Sequence, residues 1–441
     1  MVIFLVKDYK GGIYSDNSLF REKTINEIIK TIQDDQFVSQ CRTECGRKGF
    51  SRNRKLTFAH LIVLLVQGLT RSLQRELNSF YQKLQNEDFS IQYIVKSSFT
   101  KARAKLKHTA FVELNKVCLK PFYDEAPYRT WHGYRLLAVD GSTAMLPNSK
   151  DIQAEFGLTS FGPYADSPRS VARCSVLYDV LNLTVLDAQL DQYKVSERQL
   201  AYQHLPSVNA ETDIILFDRG YPGVGFMHKL QQTNIKFIIR LRENWWLEAR
   251  KMITEGIDDQ EVTYATKNGK ELKCRLVLVD LSNGQKAVVA TNLFDKEKFP
   301  ADIFQDLYHL RWNIEEGYKL FKTRANLEAF SGKTALSVRQ DFFAKVFMMS
   351  LAAVLSFPIE ERIRKEQSQT KHKNKQKINR TNALAFIKYN MIELILKQKI
   401  RKGLSALDKI LSKTKEIVRP GRTNPRKKIK KKPPSSNYKH L

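Results

Sequence analysis

The sequence predicts an α/β protein, on three observations. Between residues 134 and 239, short apolar runs alternate with helical periodicity in the order three strands, helix, strand, helix, strand. Residues 18–130 ahead of them repeat apolar side chains every three and four positions with few strand signals, as helices do. Residues 243–299 behind them hold three strand-like runs joined by Asn268-Gly269 and Asn283-Gly284, and Asn-Gly between apolar runs is the strongest short hairpin signal.

In chain order, residues 58–66 and 111–119 are the clearest N-terminal helices. Residues 97–107 start with cap-forming Ser97 and Ser98 and continue as a basic helix. Its Lys101, Arg103, Lys105 and Lys107 are candidate DNA contacts, although charge on an exposed helix needs no ligand. Strands are expected at 136–139, 171–181, 183–190, 214–217 and 237–239, with helices at 196–205 and 224–232. The β-rich insertion places strands at 261–264, 272–280 and 286–292. One long helix should run from about 300 to 323, an apolar helix from about 339 to 357, and an amphipathic helix from 383 to 400.

Of 441 residues, 74 are Lys or Arg and 46 are Asp or Glu, a net charge of +28 that suits a polyanionic partner. With 42% apolar residues the chain has ample core material, so wholesale disorder is excluded. The longest apolar stretch, 342–359, is broken by Lys345 and only just reaches the roughly 17 to 25 residues that span a bilayer; it reads as a core helix, with no membrane partner. The apolar start is shorter than a signal peptide's apolar region of roughly 7 to 15 residues, so a cytoplasmic location is expected. Five scattered cysteines argue against a disulfide framework, and the Cys41/Cys45 pair lacks the second pair that a zinc site needs. Residues 362–380 are very basic, and the tail from 419 carries nine Lys or Arg, no acid and four prolines, a composition expected to be disordered when free.

Two apolar strands run straight into carboxylates, Asp140-Gly141-Ser142 and Asp218-Arg219-Gly220-Tyr221, at strand ends where ligand sites gather in open α/β sheets. Either alone is also an ordinary turn former. A third carboxylate comes from the 300–323 helix. There Leu307, Leu310, Ile314, Gly317 and Phe321 form a packing stripe, and about 100° round the helix Tyr308, Arg311, Glu315 and Lys322 form a polar one, with Lys319 filling its gap. The plain alternative is an exposed helix with Arg311 and Glu315 as an i,i+4 pair. Three acids brought together repel unless a cation neutralises them, and their hard oxygens suit Mg²⁺ or Mn²⁺. A pair of such ions about 4 Å apart performs phosphodiester chemistry.

These residues carry a resemblance. The strand order, the Asp140 and Asp218 ends, the β insertion and above all Tyr308-x2-Arg311-x3-Glu315-x6-Lys322 resemble bacterial insertion-sequence transposases of the DDE class, in particular the insertion sequence four family with its Tyr-Arg-Glu-Lys signature. Asp140-Gly-Ser-Thr, Ser196-Glu-Arg, Asp218-Arg-Gly-Tyr and Thr291-Asn-Leu are similar too, over roughly residues 97–385. The resemblance implies an RNase H-like catalytic core whose metal-binding triad is Asp140, Asp218 and Glu315, with Glu316 as the competing acid. It implies phosphate contacts from Tyr308, Arg311 and Lys322. Some relatives stack a flipped base on an aromatic ring, for which Trp245, Trp246 and Trp312 are possible platforms. The expected partners are double-stranded DNA, as terminal inverted repeats and target, and a second copy of the chain in a homodimeric synapse, acting at the bacterial nucleoid.

The expected domains are a helical DNA-binding region (1–130), the core in two parts (131–242 and 300–360) around the insertion (243–299), and a basic helical C-terminal region (361–441). The expected function is cut-and-paste DNA transposition. The alternatives are a catalytically silent DNA-binding protein, and a nuclease of the same core that never joins strands.

Overall fold

The computed structural model describes residues 19–46, 49–52, 54–161, 167–242, 245–265, 269, 271–281, 284–369 and 375–418, with backbone alone at Cys45, His309 and Trp312. The basic tail from 419 and the Asn residues of both Asn-Gly joints lie outside them. The chain divides into two compact units. One comprises Pro127–Ala144 and Ala172–Lys319; the other comprises described residues from 19 to 126, Met145–Val171 and described residues from 320 to 418.

The first unit is built on one eight-stranded mixed sheet, in the order β3-β2-β1-β4-β5-β8-β7-β6. Its strands are β1 (Arg135–Met145), β2 (Val171–Asp179), β3 (Val185–Gln192), β4 (Asp213–Phe217), β5 (Lys236–Arg240), β6 (Asp259–Ala265), β7 (Glu271–Asp280) and β8 (Lys286–Thr291). β1, β4 and β5 are parallel neighbours, with Leu136 opposite Ile214 and Ile215 opposite Phe237. Their side chains are buried on both faces, which is why they read as unbroken apolar runs. Helices α8 (Glu197–His204) and α9 (Val224–Gln232) supply the connections expected between strands.

The β-rich insertion is not separate from this sheet. β8 pairs antiparallel with β5, Ile239 opposite Ala290, and β7 and β6 follow as antiparallel neighbours. An open edge on β5 would leave backbone donors and acceptors unpaired, and the buried face of β8 closes it. Arg275 on β7 is fully buried, paired with Asp259 and donating to the carbonyls of Leu293 and Phe299, so it staples the end of the insertion to the chain that leaves it.

Three expectations are corrected. The helix expected over 300–323 is two, α11 (Ile303–Leu310) and α12 (Trp312–Thr323), broken at Arg311 by tight turns in which Arg311 donates to the Tyr308 carbonyl and Ile314 to that of Arg311. The amphipathic helix expected over 383–400 begins earlier as α14 (Arg380–Met391) and continues as a π-helical turn; a separate α15 (Ile400–Lys413) follows. The basic helix, α5 (Lys96–Arg103), starts one residue earlier than expected and ends sooner, so Lys105 and Lys107 lie beyond it. Its first N–H is held by the Gln74 side chain, not by Ser97 or Ser98.

The second unit is mainly helical and holds both the described residues from 19 to 126 and those from 320 to 418, which were expected as separate regions. Its centre is α13 (Ala335–Gln369), which runs through Pro358 into the basic stretch. α13 packs on α6 (Thr109–Glu125), α3 (Phe58–Gln67), α14 and α15. Its apolar window is 89% buried, in keeping with a core helix. Phe20 of α1 (Leu19–Gln33), Phe122 and Phe357 meet edge to face, joining α1, α6 and α13.

Candidate active site

Each candidate carboxylate is held by the backbone beside it. Asp218 follows the last residue of β4, and its Oδ1 accepts the Gly220 N–H at 2.7 Å, closing a tight turn. Asp140 lies within β1, because the strand continues to Met145 instead of ending at Val139; its Oδ1 accepts the Gly141 N–H at 2.9 Å. Glu315 sits in the first turn of α12, and its Oε1 accepts from Arg311 Nη2 at 2.9 Å.

The fold brings these three, 175 residues apart at the extremes of the sequence, close enough to act on one another. Burial pushes the Asp140 carboxyl up to about 7, and the charges of Asp218 and Glu315 push the same way; Arg311 and the Gly141 N–H oppose them. Glu316, the competing acid, is exposed and paired with Lys319.

α12 is seated by small contacts. Tyr318 donates its hydroxyl to the Asp140 carbonyl at 2.9 Å, and Asn313 donates to the Val180 carbonyl at 2.9 Å. Gly317 faces the Tyr178 ring, where a methyl would come within 3.0 Å. The break before α12 turns Arg311 inward to 7% exposure, with Tyr308 at 3%. Among the described residues the Tyr221 hydroxyl and Arg311 Nε are buried with no hydrogen-bond partner, and the buried Tyr308 hydroxyl stands beside the Arg311 guanidinium. Buried polar atoms of this kind call for a water, an ion or a catalytic role to explain them.

Sequence reasoning did not single out a fourth acid, Glu197. It opens α8 behind a capping box made by Ser196 and Gln199, and pairs with Arg173 at 3.0 Å. A methyl on Gly141 would come within 2.9 Å of its side chain, so this glycine lets Glu197 lie against β1. The Ser196-Glu197-Arg198 cap was the available signal. The far end of α8 is fixed by His204, whose ring bridges Ser175 (2.9 Å) and Asp187 (2.7 Å). This array has the members of a hydrolytic triad, but Ser175 and His204 are both fully buried, so it anchors α8 and meets no substrate.

Beside Asp218 opens a cavity of about 460 Å³, with Arg219, Arg240 and Arg242 in its walls and Ile253 and Val288 among its apolar ones. Arg240 Nε is another buried donor with no hydrogen-bond partner among the described residues. An Arg-rimmed hollow against an acidic centre is the surface a phosphodiester needs.

The remaining candidates fall elsewhere. Lys322 is exposed in the last turn of α12. Trp312 is described by its backbone alone. Trp246 is buried between Trp245 and Tyr264, with centroids 4.7 and 3.9 Å away, so its faces are taken. Lys101 and Lys107 are exposed and Lys105 is half-buried. Arg103 is a correction: it is 6% exposed, paired with Asp341 at 2.7 Å, and bound to Gln340, Ser331 and the Ser337 carbonyl. It ties α5 to α13 and is out of reach of a phosphate.

The donor set suits a hard divalent cation in kind: three carboxylates, one of them held near neutrality by burial and by its acidic neighbours. As arranged, no group of three His, Cys, Asp or Glu among the described residues forms a ready metal cage. Arg311 occupies the place of a cation on Glu315.

Residues 131–351 match the family model described as the transposase DDE domain. The chain is 24% identical over 350 residues to the transposase InsG of insertion sequence element IS4 from Escherichia coli strain K12, covering 75% of this chain and 76% of that one. It is 26% identical over 205 residues to the putative transposase y4zB of Sinorhizobium fredii, covering 44% and 51% respectively. Among solved structures, a piggyBac transposase synaptic complex with hairpin DNA is similar over 94% of this chain and 88% of that one at 9% identity, with a TM-score of 0.44, a likeness too low to build on. The family model spans half of the chain, and with the IS4 relative it settles the kinship: the chain belongs to the DDE transposases, in the insertion sequence four family.

Proposed function

We propose that this transposase acts by cut-and-paste: it binds the terminal inverted repeats of its element, cleaves each end, and joins the freed 3′-hydroxyls to target DNA. The observation that carries this reading is the convergence of Asp140, Asp218 and Glu315 beside the Arg311 and Arg240 Nε donors, which are buried and have no hydrogen-bond partner among the described residues. A silent DNA-binding protein would have no reason to bring three mutually repelling, partly buried acids next to an arginine-lined hollow.

In this reading Asp140, Asp218 and Glu315 hold Mg²⁺ or Mn²⁺ within an RNase H-like core. Bound there, a pair of ions would supply Lewis-acid stabilisation at phosphorus and a more acidic attacking hydroxyl. The rest falls to the chain's own side chains. Arg311 exchanges Glu315 for a backbone phosphate, offering its unpartnered Nε, and the Tyr308 hydroxyl donates beside it. Freed from Arg311, Glu315 would join Asp140 and Asp218 as a carboxylate able to hold the ions. Arg219, Arg240 and Arg242 hold the DNA strand against Asp218. Lys319, Lys322 and Trp312 extend the contact along α12. Lys101, Lys105 and Lys107, with the basic tail, add affinity that falls steeply with salt. Two copies pair the element's ends in one synapse.

The test is nicking and joining of end-containing DNA with and without Mg²⁺. Asp140→Ala, Asp218→Ala and Glu315→Ala should each abolish both steps while binding persists. Cutting by any of the three at the parent's rate would remove that residue from the triad. Cleavage without joining of a precut end would leave a nuclease.

A further inference from the structure

The helical unit holds a second cationic hollow. Its volume is about 170 Å³, and its walls include Gly68, Thr70, Arg324, Lys345, Thr381 and Lys388, with no carboxylate among them. Lys345 of α13 is buried, and its ammonium donates to the carbonyls of Asn326 (2.9 Å), Leu327 (3.2 Å) and Ala329 (2.9 Å). All three protons are used, so its charge is fixed in place.

Lys388 of α14 is different. It is half-buried, yet among the described residues it makes no hydrogen bond or ion pair. Its ammonium stands 3.9 Å from where a methyl on Gly68 would be, beside the C-terminal end of α3. The charged groups facing it are Glu76, which favours its charge, and Arg71 and Lys345, which oppose it. Glu76 is already engaged, its Oε1 accepting the N–H groups of Thr70 and Arg71. Asp341, the acid nearest Lys345, is spent on Arg103 and Ser331. The side chains of Arg71 and Arg324, both exposed, also make no hydrogen bond among the described residues. Partly buried cations left in surplus without acceptors are costly unless an anion completes them.

We propose that this hollow is a socket for one phosphate group, filled by a backbone phosphate of DNA. Lys388 is its free donor, Lys345 its fixed charge, and the Thr70 and Thr381 hydroxyls complete the walls. The hollow is smaller than the roughly 300 Å³ at which sites for drug-sized ligands begin, so it suits a single phosphate better than a whole nucleotide. The cations continue to the surface: Arg324 of the wall and Arg71 are exposed, and Lys83 lies 5.9 Å from the ring centroid of Tyr389, a wall residue that is 60% exposed. A free anion has no use for that extension, whereas a nucleic-acid strand does. The assignment rests on the reading of this chain as a DNA-handling enzyme.

The experiment measures the full chain's affinity for a random-sequence duplex against salt concentration. Lys388→Met should lower the slope of log K on log salt by about 0.9, the loss of one phosphate contact, and Lys388→Arg should retain it. Lys388→Met should melt no lower than the parent, since it removes an unpaired charge; Thr381→Val provides a second, milder variant that should also weaken binding. In parallel, inorganic phosphate should raise the melting temperature of the parent and not of Lys388→Met. An unchanged slope overturns DNA as occupant; phosphate stabilisation of the parent alone would then make a free phosphate group the ligand. Absence of both responses overturns the socket. Binding is read without cleavage, so a chain that never cuts DNA but loses slope at Lys388 keeps the socket and loses only the proposed reaction.

Discussion

The hydroxyl of Tyr318 donates to the backbone carbonyl of Asp140 across 2.9 Å, tying the helix of the third acid to the strand of the first. Glu315 lies three residues before Tyr318 on the same helix, so this bond sets the spacing between two carboxylates that are distant in sequence. Tyr318→Phe keeps the ring and removes the bond. We expect a stability loss of about 1 kcal/mol, because one buried carbonyl loses its donor. Cleavage should fall by more than DNA binding, as measured on the same end-containing duplex. Equal losses would make Tyr318 a packing residue only.

Gly317 sets how closely α12 approaches β2. A methyl there meets the Tyr178 ring at 3.0 Å, so in Gly317→Ala the ring or the helix carrying Glu315 must give by a few tenths of an ångström. Reacting groups are sensitive to small misplacement, about 100-fold in rate for about 1 Å, so we expect a smaller but measurable loss of cleavage. The double variant Gly317→Ala, Tyr178→Leu removes the obstructing ring and should recover much of the cleavage rate. Persistence of the full defect would place the cause elsewhere.

In the proposed mechanism Asp140 would link pH to metal. Burial, with the charges of Asp218 and Glu315, holds its carboxyl up at about 7, so below that pH it carries a proton a cation must displace. The acid limb of cleavage should therefore shift to lower pH as Mg²⁺ is raised. A limb that stays fixed over a wide Mg²⁺ range would separate Asp140 from metal binding. Removing the metal with a chelator should stop cleavage and leave random-sequence binding in place.

His108 gives stability its own pH dependence. It stacks on Phe343 at 5.3 Å, and burial, aided by Arg339, lowers its ring to about 4 against Glu155. The unfolded chain then takes up this proton first as pH falls below 6.5, so stability is fully present above 6.5 and drops until about 4. The contribution is on the order of 2 to 3 kcal/mol, followed by urea unfolding across that window. His108→Phe should flatten this part of the profile. An unaltered profile would refute the assignment.

Arg103 and Lys101 share a helix and should behave as opposites. Arg103→Met strands Asp341 in the interior and should cost about 3 to 5 kcal/mol, whereas adding Asp341→Leu should restore much of it. Lys101→Met should change stability by less than about 0.5 kcal/mol and reduce the salt dependence of DNA binding. Chemical denaturation of the three proteins decides between these outcomes.

The sequence by itself determined the parts whose signal is local. The apolar runs of β4 and β5, the Ser196 cap of α8 and the hairpin chemistry of the insertion each depend on neighbours a few residues away, so they are legible in one dimension. Tyr308, Arg311, Glu315 and Lys322 stand out by their resemblance to a family signature; their spacing alone fits an exposed, ion-paired helix equally well. The tertiary structure decided what distant partners impose. It broke the 300–323 helix at Arg311, carried β1 past Asp140, attached the insertion to β5 and brought described residues 19–126 and 320–418 into one mainly helical unit. It also turned Arg103 from a surface cation into a buried partner of Asp341, and set Glu197 against Gly141. Periodicity reports which face of a helix is apolar. Whether a charged side chain on that helix ends in water or in the core depends on a partner hundreds of residues away, and only folding brings that partner near.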